Sequence, residues 1–213
     1  MSRTGTAAAE ESGPAGLLDF QRRRKAGSHG RLLAAAADLF CARGYFAVSV
    51  EEIASAAGVS RMTFYRHFSG KAAIASALFT QNSRAAMSRL LAIGQSPVVD
   101  RAAVTGWLSD LFALDRAHRQ LLRVFIQASV EPDFTDDAHG LIADLIAGLG
   151  ATIPAFAIDR DAPDGRRRWI EAWLILYEIL DQSNHAALDS GVATDPVVID
   201  VLADRFLRFV AGQ

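Results

Sequence analysis

The 213-residue chain has a single cysteine, Cys41. No internal disulfide can form, no zinc site can be built from it with scattered histidines, and its thiol fits a reducing compartment. No apolar run approaches the roughly eighteen residues of a membrane span, and the N-terminus lacks the apolar core of a signal peptide. A soluble, cytoplasmic protein with no membrane association is expected. Catalytic groupings are missing too: no nucleophile lies beside a base, no glycine loop could cradle a phosphate, and no two-histidine metal motif occurs. His118, His139 and His185 are isolated in sequence. The residues therefore imply no catalytic set, no metal and no cofactor. Strand-type alternation and fixed-period repeats are also lacking, which leaves helices.

What is present is apolar material, 51% of the residues, enough for a sizeable core without disulfides. The net charge of −2 hides an asymmetry. Residues 1–71 carry ten Lys/Arg against six Asp/Glu, a net +4, and the remainder carries twelve against eighteen, a net −6. A local basic patch is what a phosphate backbone attracts, and an acidic remainder discourages the wrong face from docking.

The basic half contains Ser49 to Lys71, SVEEIASAAGVSRMTFYRHFSGK. Ser49 and Glu52 have the spacing of a capping box, so a helix opens there. Ile53, Ala54 and Ala57 give it one small apolar face, and Gly58 supplies the left-handed residue that ends it. After the Gly58-Val59-Ser60 turn, Ser60 caps a second helix through Phe68. Met62 or Phe64, with Phe68, can pack, while Arg61, Thr63, Tyr65, Arg66 and His67 point outward or along the rim. Two helices meeting steeply through a short glycine turn leave the second projecting, in a form that fits a DNA major groove.

The wider pattern runs Leu39-Phe40, Gly44-Tyr45, Ser49-Val50, Ile53-Ala54, Ala57-Gly58-Val59-Ser60, Phe64-Tyr65-Arg66-His67-Phe68 and Lys71. It closely resembles the DNA-binding domain of TetR-family transcriptional regulators over about residues 28–75, and beyond them the likeness is one of architecture. The resemblance implies double-stranded DNA as partner, on a palindromic operator. It places Ser49, Ser60, Arg61, Thr63, Tyr65, Arg66, His67 and Lys71 at the DNA, with Arg61 and Thr63 on bases and Tyr65, His67 and Lys71 mainly on phosphate.

Residues 1–27 are small, polar and interrupted by Gly and Pro, and read as a mobile arm. Its run Arg22-Arg23-Arg24-Lys25 is either simply solvated or an arm for phosphates or a minor groove. From Ser28 or His29 to Arg43, Leu32, Leu33, Ala36, Leu39 and Phe40 form a helical stripe that Gly44 terminates, with Tyr45 and Phe46 sealing the junction. Cys41 lies well round from that stripe, with no resolving cysteine for a redox role. A long helix from Lys71 to about Ile93 then leads from the 28–75 domain into a second one, 76–213.

The fold expected is thus all-α: an N-terminal three-helix helix-turn-helix domain followed by a larger helical domain for ligand binding and dimerisation. Helices are expected at about 99–114, 116–130, 135–157, 165–189 and 195–211. The last two are apolar over more than one face, which implies a homodimer, with Leu202 and Phe206 among its contacts. Trp107, Phe112, Phe125, Trp173 and Tyr177 lie on different helices and could line a cavity as readily as fill a core. Polar Gln127, Asp181, Asn184 and His185 sharpen that into a site for a small, largely apolar effector. The expected function is a TetR-like regulator, a repressor released from its operator by that effector. A DNA-binding regulator without a ligand and a small helical enzyme are the alternatives.

Overall fold

The computed structural model describes residues 14–134 and 138–212, with side chains for 27–134 and 140–212. Among the described residues the chain is helical and contains no strand. It divides into two compact units, Met1–Ile74 and Ala75–Gln213.

In the first unit, α1 spans Pro14–Arg43, α2 Val50–Ala56 and α3 Arg61–His67. Leu32, Ala36 and Phe40 repeat every four residues on α1 and are buried. Gly44 then turns the chain at φ 82°, a left-handed conformation that costs glycine little. α1 starts earlier than the sequence suggested, so the second half of the expected arm is helical backbone. Extending an existing helix is cheap once it is nucleated, and LDFQRRRK contains no breaker. The rest of that arm, residues 1–13, and the side chains of Arg22, Arg23 and Arg24 lie outside the described residues.

α2 opens on the capping box written in its sequence. The Ser49 hydroxyl accepts from the Glu52 N–H at 3.2 Å, and the Glu52 carboxylate accepts from the Ser49 N–H at 2.8 Å. Those bonds, with the Arg43 guanidinium at 2.7 Å, hold the Glu52 carboxyl down at about 2, the Ser49 N–H contributing most. Ile53, Ala54 and Ala57 are buried as their spacing requires, and Gly58 ends the helix at φ 63°. Phe64 and Phe68 anchor α3 and its end. Phe46, expected to seal the junction, is instead 60% exposed and leaves that task to Tyr45, which is buried.

The division between the units falls within α4, Lys71–Leu90. A 3₁₀ turn at Leu91–Gln95 follows, then α5 (Arg101–Ala117), α6 (Arg119–Ala128), α7 (Ala138–Gly150), α8 (Gly165–Ala187) and α9 (Val197–Ala211). The helix expected at 135–157 stops at Gly150 because Pro154 forces Ile153 into extended backbone, φ −112° and ψ 108°. α8 packs on α5, α7 and α9. Trp107, Leu108, Phe112, Phe156, Leu176 and Ile179 fill the core between them. Leu202 and Phe206, expected at a dimer interface, are buried in this core instead. They lie four residues apart on the inner stripe of α9, 2% and 0% exposed. The outward apolar residues are Ile170, Leu174 and Tyr177 on α8, Val197 and Val201 on α9, and Val192 before it. No described helix is long and apolar enough to cross a membrane.

Candidate nucleic-acid interface and ligand cavity

α3 exposes Arg61, Met62, Tyr65 and Arg66, two pairs four residues apart and therefore two adjacent rows of one outward surface. Met62, a possible packing residue from sequence, is 83% exposed, because Phe64 and Phe68 already occupy the inner face. Arg61 is held in place before any partner arrives. Its Nε lies 2.9 Å from Glu51, and its guanidinium sits over the Tyr65 ring, 5.4 Å from the centroid. At such exposure that ion pair contributes little to stability, so it orients the guanidinium without locking it.

The remaining candidates have local partners. Ser49 and Ser60 are the N-caps of α2 and α3; Ser60 accepts from the Thr63 N–H at 3.1 Å, and the two hydroxyls are 3.0 Å apart. His67 points back toward α1, its Nε2 at 2.8 Å from the Ser28 hydroxyl. The Lys71 ammonium donates to the Tyr45 carbonyl at 3.0 Å and rests 4.3 Å from the Tyr45 ring centroid. Its charge thus also pins the 44–48 turn. Burial, then Asp38, pushes the Cys41 thiol up, which lowers its thiolate fraction and weighs against redox chemistry.

The second unit contains a cavity of about 310 Å³ lined from α4, α5, α6, α7 and α8 and by Phe134. It brings together Phe125, Tyr177, Asp181 and Asn184 of the expected ligand residues. Trp107 and Phe112 lie elsewhere, in the core; the Trp107 indole donates to the Arg89 carbonyl at 3.1 Å and packs against Phe206. Gln127 and Trp173 do not line it either, and Trp173 stacks on Tyr177 at 5.1 Å. Sequence reasoning missed Phe79, Asn82, Ser83, Asp115 and Phe134 as lining residues. Asp115 was detectable, since it continues the apolar stripe Val104, Leu108, Leu111 of α5, where an acid is out of place. Burial pushes its carboxyl up, and the Ser183 hydroxyl, donating at 2.5 Å, and His118 draw it back. No group of His, Cys, Asp and Glu among the described residues could hold a metal ion.

A projecting short helix, capped at its start, anchored by two inward phenylalanines and carrying arginines and a tyrosine outward, is the reading helix of a helix-turn-helix protein. The profile of the "Bacterial regulatory proteins, tetR family" matches residues 32–78. The HTH-type transcriptional activator FasR of Mycolicibacterium smegmatis is 52% identical over 42 residues, a match that spans only 20% of this chain and 19% of FasR. The whole fold is similar to that of TetR-family transcriptional regulators from Streptomyces coelicolor (TM-score 0.59, 21% identity, 88% of this chain and 97% of that one) and from Pectobacterium atrosepticum (TM-score 0.60, 17% identity, 90% and 92%). Residues 32–78 thus carry the DNA-binding domain of the TetR family of transcriptional regulators, and beyond them the likeness is one of fold.

Proposed function

We propose that the protein is a cytoplasmic homodimeric repressor that holds a palindromic double-stranded operator through α3 and releases it when a small, largely apolar effector fills the cavity. The observation that carries the DNA half is the outward surface of Arg61, Met62, Tyr65 and Arg66 on α3. Arg61 and Thr63 read base edges, Arg61 with the forked donors that suit guanine. Tyr65, Arg66, His67 and Lys71 fix the helix on phosphates, as do Arg22, Arg23 and Arg24 of the preceding segment, while Ser49 and Ser60 present helix N-termini to the backbone. In a dimer the two reading helices enter successive major grooves roughly 34–36 Å apart.

The dimer is built from the outward apolar faces of α8 and α9 in a twofold arrangement, as a four-helix interface. Release works by differential affinity: the effector favours a dimer whose α3 helices no longer match successive grooves, and α4, which passes from one unit to the other, is the lever. FasR is named an activator. The shared segment is the DNA reader, which selects the site, whereas repression follows from occluding a promoter there. The ligand-independent alternative is disfavoured by a cavity lined with aromatic rings and a few polar groups.

DNase I footprinting upstream of the protein's own gene, with and without candidate ligands, tests the reading. A symmetric footprint that weakens steeply with salt is expected. Salt-independent or wholly sequence-indifferent binding would overturn it.

A further inference from the structure

We propose that the cavity selects lipophilic cations, an amine or quaternary nitrogen on an aromatic or alkyl body, over neutral molecules and carboxylates of the same shape. The inference rests on the effector reading above and adds the ligand's charge class. Among the described residues the ionisable side chains that line the cavity are both carboxylic acids, Asp115 from α5 and Asp181 from α8, and no Lys, Arg or His lines it. Asp115 Oδ2 accepts from the Ser183 hydroxyl. Asp181 Oδ2 accepts from Gln182 at 3.2 Å. Basic groups stand outside the lining: His185 Nε2 is 3.7 Å from Asp181, His118 acts on Asp115 through space, and Arg89 shares a small adjoining pocket with Asp115 and His118.

Two carboxyl groups would not by themselves make a binding site. Here they open on an aromatic enclosure. Phe79 meets Phe125 edge-on at 5.3 Å and Phe134 at 6.2 Å, and Tyr177 closes another side. Ring faces attract a cation, most strongly where water is excluded, and the carboxyl groups supply the charge that a desolvated cation needs. A bound carboxylate would be a third acid in the cavity. The Asn82 and Asn184 amides can donate to its oxygens but carry no charge to offset it. A neutral ligand gains the apolar contacts and leaves the acids unpaired.

The experiment is isothermal titration calorimetry of the full chain with 4-phenylbutylamine, 4-phenylbutan-1-ol and 4-phenylbutanoic acid, which share one apolar body and differ in head-group charge. The amine should bind at least about tenfold more tightly than the alcohol, with the acid weakest, as expected for a charge-assisted contact. Asp115→Asn and Asp181→Asn should each remove most of the amine's advantage over the alcohol, with a circular-dichroism melt showing that each variant is folded. Asp181 is only half-buried, so its variant carries the test should Asp115→Asn misfold. Binding of all three with equal affinity, or tightest binding of the acid, overturns the charge preference and leaves the cavity a ligand site. Binding by none at millimolar concentration overturns the charge preference and the effector reading together.

Discussion

Leu174→Arg should split the proposed dimer while leaving the subunit folded. Leu174 is 53% exposed on α8, between Ile170 at 45% and Tyr177 at 46%, with Val197 at 57% and Val201 at 46% on α9. Full burial of such a side chain is worth about 1.5–3 kcal/mol, so covering the remaining half contributes about 1 kcal/mol each. Six such residues per subunit, Val192 included, count twice in a twofold interface and give on the order of 10 kcal/mol. That is comparable with the cost of association, so the proposed dimer would have little to spare. Leu174→Arg removes two apolar contacts and brings two unpaired guanidinium groups into the interface, a loss of several kcal/mol and about a thousandfold or more in dimer affinity. Sedimentation equilibrium at micromolar concentration should show monomers, with operator affinity falling in step. The control is Leu202→Ala, in the subunit's own core, which should cost about 2–5 kcal/mol of stability without acting selectively on association. A Leu174→Arg protein that sediments as a wild-type dimer refutes this use of the α8 and α9 faces.

Arg61→Ala should weaken operator binding by about 1–3 kcal/mol and relax sequence preference, measured by mobility shift on operator and random DNA; equal losses on both would assign Arg61 to phosphate. Lys71→Ala should weaken all sequences alike and flatten the salt slope by about one unit. It should also lower the melting temperature, because the ammonium holds the Tyr45 carbonyl. Glu52 is held near 2 in the folded state against an ordinary value of 4.5. Its contribution to stability is therefore present above 4.5 and is lost as pH falls toward 2, and Glu52→Gln should flatten that part of a circular-dichroism acid titration. Asp115 has the opposite sign. Its raised carboxyl is favourable below the ordinary carboxylate value and loses stability as pH rises, so Asp115→Asn should melt progressively higher relative to wild type as pH rises above 3.8. Parallel melting curves across that range would remove Asp115 from its buried setting.

The reading unit was legible because its instructions are local. A capping box acts over three residues, a left-handed glycine acts at one, and an apolar stripe on a short helix has one face to bury. Ser49, Glu52, Gly58 and Ser60 accordingly do what their spacing says. Met62 is the exception in that stretch. Periodicity allowed it or Phe64 to pack, and only the packed unit shows that Phe64 and Phe68 fill the available space.

In the second unit, the apolar excess of α8 and α9 announced two kinds of surface, since one subunit could not cover all of it. Which residue belongs to which surface was a matter of helix rotation. Leu202 and Val201 are neighbours in sequence, yet one is 2% and the other 46% exposed. The aromatic candidates divided in the same way, with Phe125 and Tyr177 lining the cavity and Trp107 and Phe112 filling the core. A side chain on an amphipathic helix carries the same local signal whether it meets another side chain or an empty space. The sequence by itself determined the helices, their caps and the DNA-reading segment, because those depend on contacts within a few residues. Tertiary structure alone decided where the cavity lies and that its walls carry Asp115 and Asp181, because a void is defined by the several helices that fail to fill it.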